Sequence, residues 1–419
     1  MNVAPPKDPL DVIVANDFAH IRGGSDRAAL EGAVGLAQAG HRVLLFTAVG
    51  PMADSLREIP NLEVVCLGTS DILADHSRAR AALHGMWNAP VARQLREILS
   101  SRDPSRTVVH VHGYTKALSM AVPHAAASAG FRVVLSLHDY FLACPNGAYF
   151  LHPHLEPCSL RPLGVSCFTC QCDARRYTHK LWRFARTWVQ NRLVDLPHRL
   201  AHVIAVSEKC RHTARTLLPS SVPITTVPYP VDAVYDEPLD VARNHAFVFV
   251  GRLERNKGPH LFARAAARLG VEAVFCGKGP AEAEIRALYP QARITGWLDR
   301  DALRAEVAKA RAVVFPSLWA ETFGLVVAES LARGVPVIAS RETAAADQIA
   351  DGHNGLLFAR GSVDELARCL EQMRDASTAA RLGATAHALW WEQPLTLAHH
   401  VAGLEEVYTR VLSPAAVTA

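Results

Sequence analysis

The sequence predicts an α/β protein made of two βαβ domains with parallel sheets. Short, continuous runs of β-branched and apolar residues alternate with helical patterns along all 419 residues. The runs lack the in-and-out alternation of a half-exposed sheet, so they suit parallel strands covered on both faces. The alternation breaks at a Pro-rich stretch, "VPYPVDAVYDEPLD" (227–240), and then restarts.

Taken in order, "LDVIVAN" (10–16) reads as the first strand, followed by a loop and an alanine-rich helix from about Asp26 to Ala39. "HRVLLFT" (41–47), "TVVHVHG" (107–113), "FRVVLSLHD" (131–139) and "HVIAVS" (202–207) repeat the strand signal. After the join, expected near 225–242, the strands are "HAFVFVG" (245–251), "VEAVFCG" (271–277), "ARITGW" (292–297), "AVVFPS" (312–317) and "VPVIAS" (335–340). A chain of this length can supply two cores. The domain boundaries that follow are 1–228 and 240–394, with a last helical segment at 395–419.

Half the residues are hydrophobic, a fifth are charged and the net charge is only +4, a soluble globular profile that gives no reason to invoke nucleic acid. No apolar run reaches the length of a membrane span. The start, "MNVAPPKDPLDVIVAN", lacks the basic and apolar regions of a secretory leader. The expected setting is therefore cytoplasmic and reducing, where nine cysteines serve as thiols or metal ligands rather than disulfides.

"GRLERNKG" (251–258) ends a strand and delivers Arg252 and Lys257 into the next loop. Ligands of open α/β sheets sit beyond the carboxyl ends of the strands, and two cations there suit a diphosphate. Further on, "ETFGLVVAE" places Glu321 and Glu329 around an apolar run. Gly324 permits close backbone approach, and a helix is expected from Leu325 to about Ala332, stopped by Gly334. Its N-terminus favours phosphate. Burying two carboxylates is expensive unless donors meet them, and sugar hydroxyls would be such donors. The alternative is that Glu329 pairs with Arg333 one turn on while Glu321 lies exposed.

The succession "GRLERNKG", "GKGP" (277–280) and the E-x7-E motif resembles the retaining nucleotide-sugar glycosyltransferases of family four, in order, spacing and strand context over most of the chain. The resemblance implies the GT-B fold, two facing Rossmann-like domains with a last helix crossing back to the first. It implies that Arg252 and Lys257 hold the donor diphosphate. Glu321, with the backbone at Phe323, Gly324 and Leu325, would bind the transferred sugar, and Glu329 the ribose. Gly277 and Gly279 would lie near the base, and Gly23 and Gly24 in "HIRGGSDRA" would meet the donor phosphates. His138 in "SLHDY" would be an active-site residue. His112 in "HVHGY" is a weaker candidate of that kind, and Asp17 is a candidate acceptor contact from its location alone. Where the family often reads Asn-Gly-Val-Asp, this chain has Tyr229-Pro230-Val231-Asp232, which puts that turn in doubt. The scheme needs no catalytic metal. Asp299-Arg300-Asp301 matches a metal-binding D-x-D pattern, but it opens a predicted helix, where Asp is an ordinary cap.

Cys144, Cys158, Cys167, Cys170 and Cys172 crowd a stretch with few strong apolar residues. Such an insert, at about 144–172, needs a staple, and four thiolates around a structural zinc would provide one. "CFTC" has a suitable spacing. Some polysaccharide-assembling relatives that the chain resembles carry a cysteine directly before Asp, which favours Cys172 over Cys170. His152 and His154 could substitute. "RRYTHKLWRFARTWVQNR" (175–192) then interleaves Arg175, Arg176, Lys180, Arg183, Arg186 and Arg192 with aromatics. That mix suits an anionic membrane surface or a lipid diphosphate. The other arrangement puts the aromatics in the core and the arginines in solvent.

The expected activity is sugar transfer from a nucleoside diphosphate to a hydroxyl, in surface polysaccharide assembly on a lipid-linked saccharide, peripheral to the inner face of the membrane. The rivals are a sugar-nucleotide epimerase of similar architecture and a non-catalytic scaffold built on the zinc insert and the basic helix.

Overall fold

Both sets of continuous apolar runs form parallel sheets. The structure, a computed structural model, describes residues 8–413. In chain order the first strands are β1 (Asp11–Phe18), β2 (Arg42–Val49), β3 (Leu62–Cys66), β4 (Thr107–Val111) and β5 (Arg132–Leu137). A small antiparallel hairpin, β6 (Phe150–Leu151) with β7 (Glu156–Pro157), comes next, followed by β8 (His202–Ala205) and β9 (Ile224–Thr226). The second set is β10 (Ala246–Val250), β11 (Ala273–Cys276), β12 (Arg293–Gly296), β13 (Ala310–Phe315), β14 (Val337–Ser340) and β15 (Gly355–Phe358).

One sheet has the order β3-β2-β1-β4-β5-β8-β9 and the other β12-β11-β10-β13-β14-β15, with parallel pairing throughout. In each sheet the first strand lies centrally and the order reverses beside it, which makes the fold doubly wound and Rossmann-like. Every residue of β1 is buried, as expected for a strand covered on both faces. β3, β9 and β15 had no counterpart in the sequence reading. All three are short, and all three lie at sheet edges.

The chain divides into two units, Met1–Gly147 with Leu160–Pro230 and Leu395–Ala419, and Ala148–Ser159 with Val231–Pro394. The cysteine-rich stretch is therefore split, and its hairpin belongs with the second unit. Within the first unit the last helix, Leu397–Leu412, packs on the helix Gly24–Gln38. Two glycines let them approach: a Cβ on Gly35 would come 2.7 Å from Val401, and one on Gly32 would meet His400. Residues 1–7 and 414–419, on which the leader reading and the end of the last helix partly fall, lie outside the described residues. Among the described residues no helix is long and apolar enough to cross a membrane.

Candidate functional site

In the second unit the loops after β10 and β11 are stitched together. Gly251 N–H donates to the Cys276 carbonyl at 3.0 Å, and Leu253 N–H to the Lys278 carbonyl at 2.9 Å. Side chains would not fit. A Cβ on Gly277, whose φ is +154°, would lie 1.9 Å from the Gly251 oxygen, and one on Gly279 would lie 2.4 Å from the Leu253 oxygen. The glycines of "GKGP" therefore serve loop-on-loop packing here.

That packing sets the course of the loop carrying Arg252 and Lys257. Lys257 Nζ lies 2.6 Å from Glu321 Oε1 and 5.0 Å from the centre of the Trp319 ring. Ser317 Oγ donates to the same Glu321 oxygen at 2.9 Å. Glu321 is only 7% exposed, so the expected alternative of a solvated Glu321 is set aside. Its φ of +44° is left-handed, uncommon for a residue with a Cβ, and such strain concentrates at ligand sites. Oε1 is held from inside by Lys257 and Ser317, which leaves Oε2 as the oxygen able to meet a ligand. Arg252 is 61% exposed and pairs with Glu254 at 2.9 Å.

After Glu321 the chain turns at Gly324 (φ +98°) into the helix Leu325–Leu331, starting where the sequence predicts. The Phe323 carbonyl accepts from Gln348 Nε2 at 3.3 Å. Glu329 lies one turn into the helix, half-buried, while Arg333 donates to the Arg304 carbonyl at 2.8 Å. Asp299 caps its helix through the Ala302 N–H at 2.8 Å, the ordinary role expected of it.

In the first unit the β4 and β5 ends bring His112 and His138 together. His138 Nε2 is 2.9 Å from His112 Nδ1, and His138 Nδ1 is 2.5 Å from the Tyr229 hydroxyl. Burial holds both imidazoles neutral, pushing His138 down to about 3 and His112 well below the ordinary histidine range. The residue that departs from the family pattern at the join, Tyr229, is thus a direct partner of the active-site candidate. No local signal marks it, because 91 positions separate the pair.

Asp17 has another task than the expected acceptor contact. It is 2% exposed, and its carboxylate takes the backbone N–H groups of Lys116, Ala117 and Leu118, each at 2.8 Å. It therefore fixes the loop after β4. Gly23 is extended rather than left-handed and a Cβ there would meet open space, so the chain does not require glycine at position 23 to turn. Asp139 follows His138 directly, and desolvation pushes its carboxyl up to about 6.

The basic helix, observed as Tyr177–Trp188, turns three of its cations inward. Lys180 is fully buried and donates to the carbonyls of Cys167 and Cys170, the latter at 3.2 Å. Arg183 pairs with Asp173 at 2.7 Å. Arg186, 5% exposed, donates to the Thr115 carbonyl at 3.2 Å and lies 4.9 Å over the Phe141 ring. This corrects the reading of a helix whose cations all meet a membrane, and equally the reading of solvated arginines. Arg175, Arg176, Arg192 and Trp188 remain exposed. Lys180 now supplies a staple for the cysteine stretch, helped by Asn146, which accepts from the Cys144 thiol and donates to the Cys172 carbonyl. Among the described residues no three His, Cys, Asp or Glu side chains gather as metal ligands would.

Residues 22–234 match the model described as Glycosyltransferase Family 4, and residues 244–375 the model described as Glycosyl transferases group 1. A GDP-mannose-dependent alpha-mannosyltransferase of Corynebacterium glutamicum is 36% identical over 110 residues, 26% of each chain. A lipopolysaccharide core biosynthesis glycosyltransferase of Rhizobium meliloti is 31% identical over 163 residues, 37% of this chain and 46% of that one. The alignments span between about a quarter and just under half of the curated relatives' length. Among solved structures, Anabaena HepE in complex with UDP-glucose is similar in fold, with a TM-score of 0.66 at 17% identity over 96% of this chain and all of that one.

Proposed function

Starting from a chain that belongs to glycosyltransferase family 4, we propose that it transfers a sugar from a nucleoside diphosphate donor to an acceptor hydroxyl, with retention of anomeric configuration. The observation that carries this reading is the Lys257–Glu321 pair, largely shielded from solvent at the carboxyl ends of parallel strands, on a loop that also carries Arg252. A cation already held near a strained carboxylate is a ready partner for a leaving diphosphate. Arg252, exposed and paired with Glu254 two residues on, adds a fork that grips a second phosphate oxygen. Glu321 offers its outer oxygen to a sugar hydroxyl, and Glu329 takes the ribose. Gly23, with open space where a Cβ would stand, leaves room for phosphate to approach the backbone, and Gly24 follows it at the start of the helix. Phe323, Gly324 and Leu325 present backbone N–H groups. The phosphate oxygen that departs takes the acceptor proton on the same face, so no metal enters the scheme.

The donor classes to try first are UDP and GDP sugars, those of the similar proteins above. A lipid-linked saccharide acceptor in surface polysaccharide assembly is the biological setting we propose, with Arg175, Arg176 and Arg192 as the cations left to meet an anionic membrane. Structural zinc on Cys144, Cys158, Cys167 and Cys172, with Cys170 as the alternate, is supported by the ligand spacing and by a stretch with few apolar residues to bury. Metal analysis of purified protein with and without chelation tests it, and metal-free protein of full stability would reject it.

The decisive experiment is thermal unfolding against UDP, GDP, ADP and their sugars. A ligand at about a hundred times its dissociation constant adds roughly 2.7 kcal/mol, a shift of a few degrees. A shift confined to one base supports the reading and names the donor. No shift with any of them, in folded protein, rejects it in favour of the scaffold. Retention is read from the anomeric proton of the product, and an inverted product would overturn it.

A further inference from the structure

Three histidines crowd the carboxyl ends of β4 and β5. His112 lies between His110, a tilted ring centred 4.1 Å away, and His138, stacked at 5.0 Å. Together they carry six ring nitrogens, two each. His110 Nδ1 is 2.6 Å from the Tyr408 hydroxyl, and its Nε2 is 2.8 Å from the Ser136 hydroxyl. Both nitrogens of His138 are engaged, by Tyr229 and by His112 Nδ1. Five nitrogens are thereby accounted for. The sixth is His112 Nε2, and it is not among the buried polar atoms that lack a partner. His112 also lines a cavity of about 40 Å³, with Ser25, Thr115, His138, Asp139 and Leu142. That space suits a hydroxyl or a water rather than a sugar ring.

We propose that Tyr229, His138 and His112 form one hydrogen-bonded chain whose working end is His112 Nε2, and that this nitrogen, rather than either nitrogen of His138, meets a ligand hydroxyl. The proposal rests on the glycosyltransferase reading only for the source of the hydroxyl, which is the bound donor sugar or the acceptor. His112 is then a binding residue, while His138 and Tyr229 are positioning residues that act through it.

The chain has two arrangements, both without net charge. In the first, Tyr229 O–H donates to His138 Nδ1, His138 Nε2–H donates to His112 Nδ1, and His112 Nε2–H is a donor toward the cavity. In the second, His112 Nδ1–H donates to His138 Nε2 and His138 Nδ1–H donates to the Tyr229 oxygen, so His112 Nε2 presents a lone pair. The two differ in the tautomer of each ring. Each imidazole gives up the proton on one nitrogen and takes one on the other by exchange with solvent or the ligand. Tyr229 keeps its hydroxyl proton and turns it away, so every group is neutral in both. Burial disfavours a charged imidazole at all three positions, so the neutral chain persists at ordinary pH. A hydroxyl that first accepts and later donates is accommodated by the same nitrogen. A lone neutral histidine, fixed in one tautomer, offers only one of these modes.

The test has a structural arm and a ligand arm. In histidine-labelled protein, nitrogen chemical shifts report which ring nitrogen of His112 is protonated. Tyr229→Phe removes the far end of the chain without touching His112. A changed His112 tautomer balance in that variant supports the chain; shifts confined to His138 overturn it, whether or not any nucleotide binds. In the ligand arm, His112→Asn retains an amide near the Nδ1 position and loses the Nε2 position, whereas His112→Gln retains the latter. UDP-glucose and GDP-mannose are compared with UDP and GDP by calorimetry, and release of nucleotide is followed with water as acceptor. Loss of on the order of tenfold in sugar-nucleotide affinity for Asn, with UDP or GDP affinity unchanged and Gln near wild type, identifies a donor-sugar hydroxyl. Unchanged affinity with a similar fall in turnover identifies the acceptor hydroxyl. Equal behaviour of Asn, Gln and wild type in both measurements refutes the role of His112 Nε2. Wild-type protein that binds neither nucleotide rejects the glycosyltransferase reading, and the chemical-shift arm then still decides the chain.

Discussion

Glu321→Gln separates the two jobs assigned to this side chain. The carboxylate faces Lys257 at 2.6 Å and accepts from Ser317 at 2.9 Å. Glutamine keeps the shape and an acceptor for both donors but removes the charge. Coulomb's law at this distance gives about 1.6 kcal/mol in a water-like dielectric and about 6 kcal/mol at an effective value near 20. With Lys257 21% and Glu321 10% exposed as side chains, the true figure lies between those limits. A diphosphate binding at Lys257 must share that cation with Glu321, so removing the competing charge favours the nucleotide. Even the lower limit corresponds to a roughly tenfold tighter dissociation constant for UDP or GDP. Stability falls by about 1 to 3 kcal/mol as charge-assisted hydrogen bonds become ordinary ones. Turnover falls on the order of a hundredfold, because the outer oxygen no longer offers a charged acceptor to the sugar. Calorimetric titration with the nucleotide diphosphate, beside a nucleotide-release assay, measures both effects. A folded variant that binds the diphosphate no better than wild type would refute the claim that Glu321 holds Lys257 in reserve.

Further predictions concern stability and the glycines. Asp139→Asn keeps an acceptor for the Phe141 N–H and removes a carboxylate whose folded pKa is pushed from 3.8 to about 6. A raised acid binds its proton more tightly when folded, so wild-type stability falls as pH rises from about 4 to 6; the variant should gain up to about 3 kcal/mol above that window and nothing below it. An unchanged difference in melting temperature across pH 4 to 8 would contradict this. The histidines work in the opposite direction: His202, His260 and His400 are pushed down to about 4 and His138 to about 3, so the unfolded chain takes up protons first. Their stability is complete above the ordinary histidine range and is lost as pH falls from about 6.5 toward 4, at about 2 kcal/mol each by pH 5. A denaturant midpoint that stays level down to pH 4.5 would exclude it. Gly277→Ala drives a Cβ onto the Gly251 oxygen and should cost about 3 kcal/mol or more by denaturant titration. Gly23→Ala, with open space around its Cβ, should leave stability within about 0.5 kcal/mol while weakening nucleotide binding. Equal stability losses for the two would mean that neither loop is built as described.

What was legible in the sequence is what is local. Central strands such as β1 and β10 are buried on both faces, and their continuous apolar runs announce them. The Glu321 region could be read because its partners lie close along the chain: Ser317 is four residues away, and the turn at Gly324 follows directly. Lys257 is 64 positions distant, yet a strand-end loop and the spacing of a known motif pointed to it. β3, β9 and β15 escaped notice for a related reason. An edge strand has one neighbour and needs only a short run, so its signal fades into the loops around it.

Only the tertiary structure decided which polar side chains lie inside. Arg186 and Lys180 read as surface cations by type, but backbone carbonyls of Thr115, Cys167 and Cys170 accept from them in the interior. Asp17 read as a ligand contact by position, but three amides from a loop a hundred residues on fill its carboxylate. His112, His138 and Tyr229 become one chain because parallel pairing sets β4 beside β5 and the join returns to the same end of the sheet. The sequence by itself determined the two parallel sheets and the Lys257–Glu321 loops, since hydrophobic burial is a property of short runs. The placement of buried polar groups waited for the fold, because a hydrogen bond that offsets desolvation needs one particular partner, and chain distance says nothing about where that partner is.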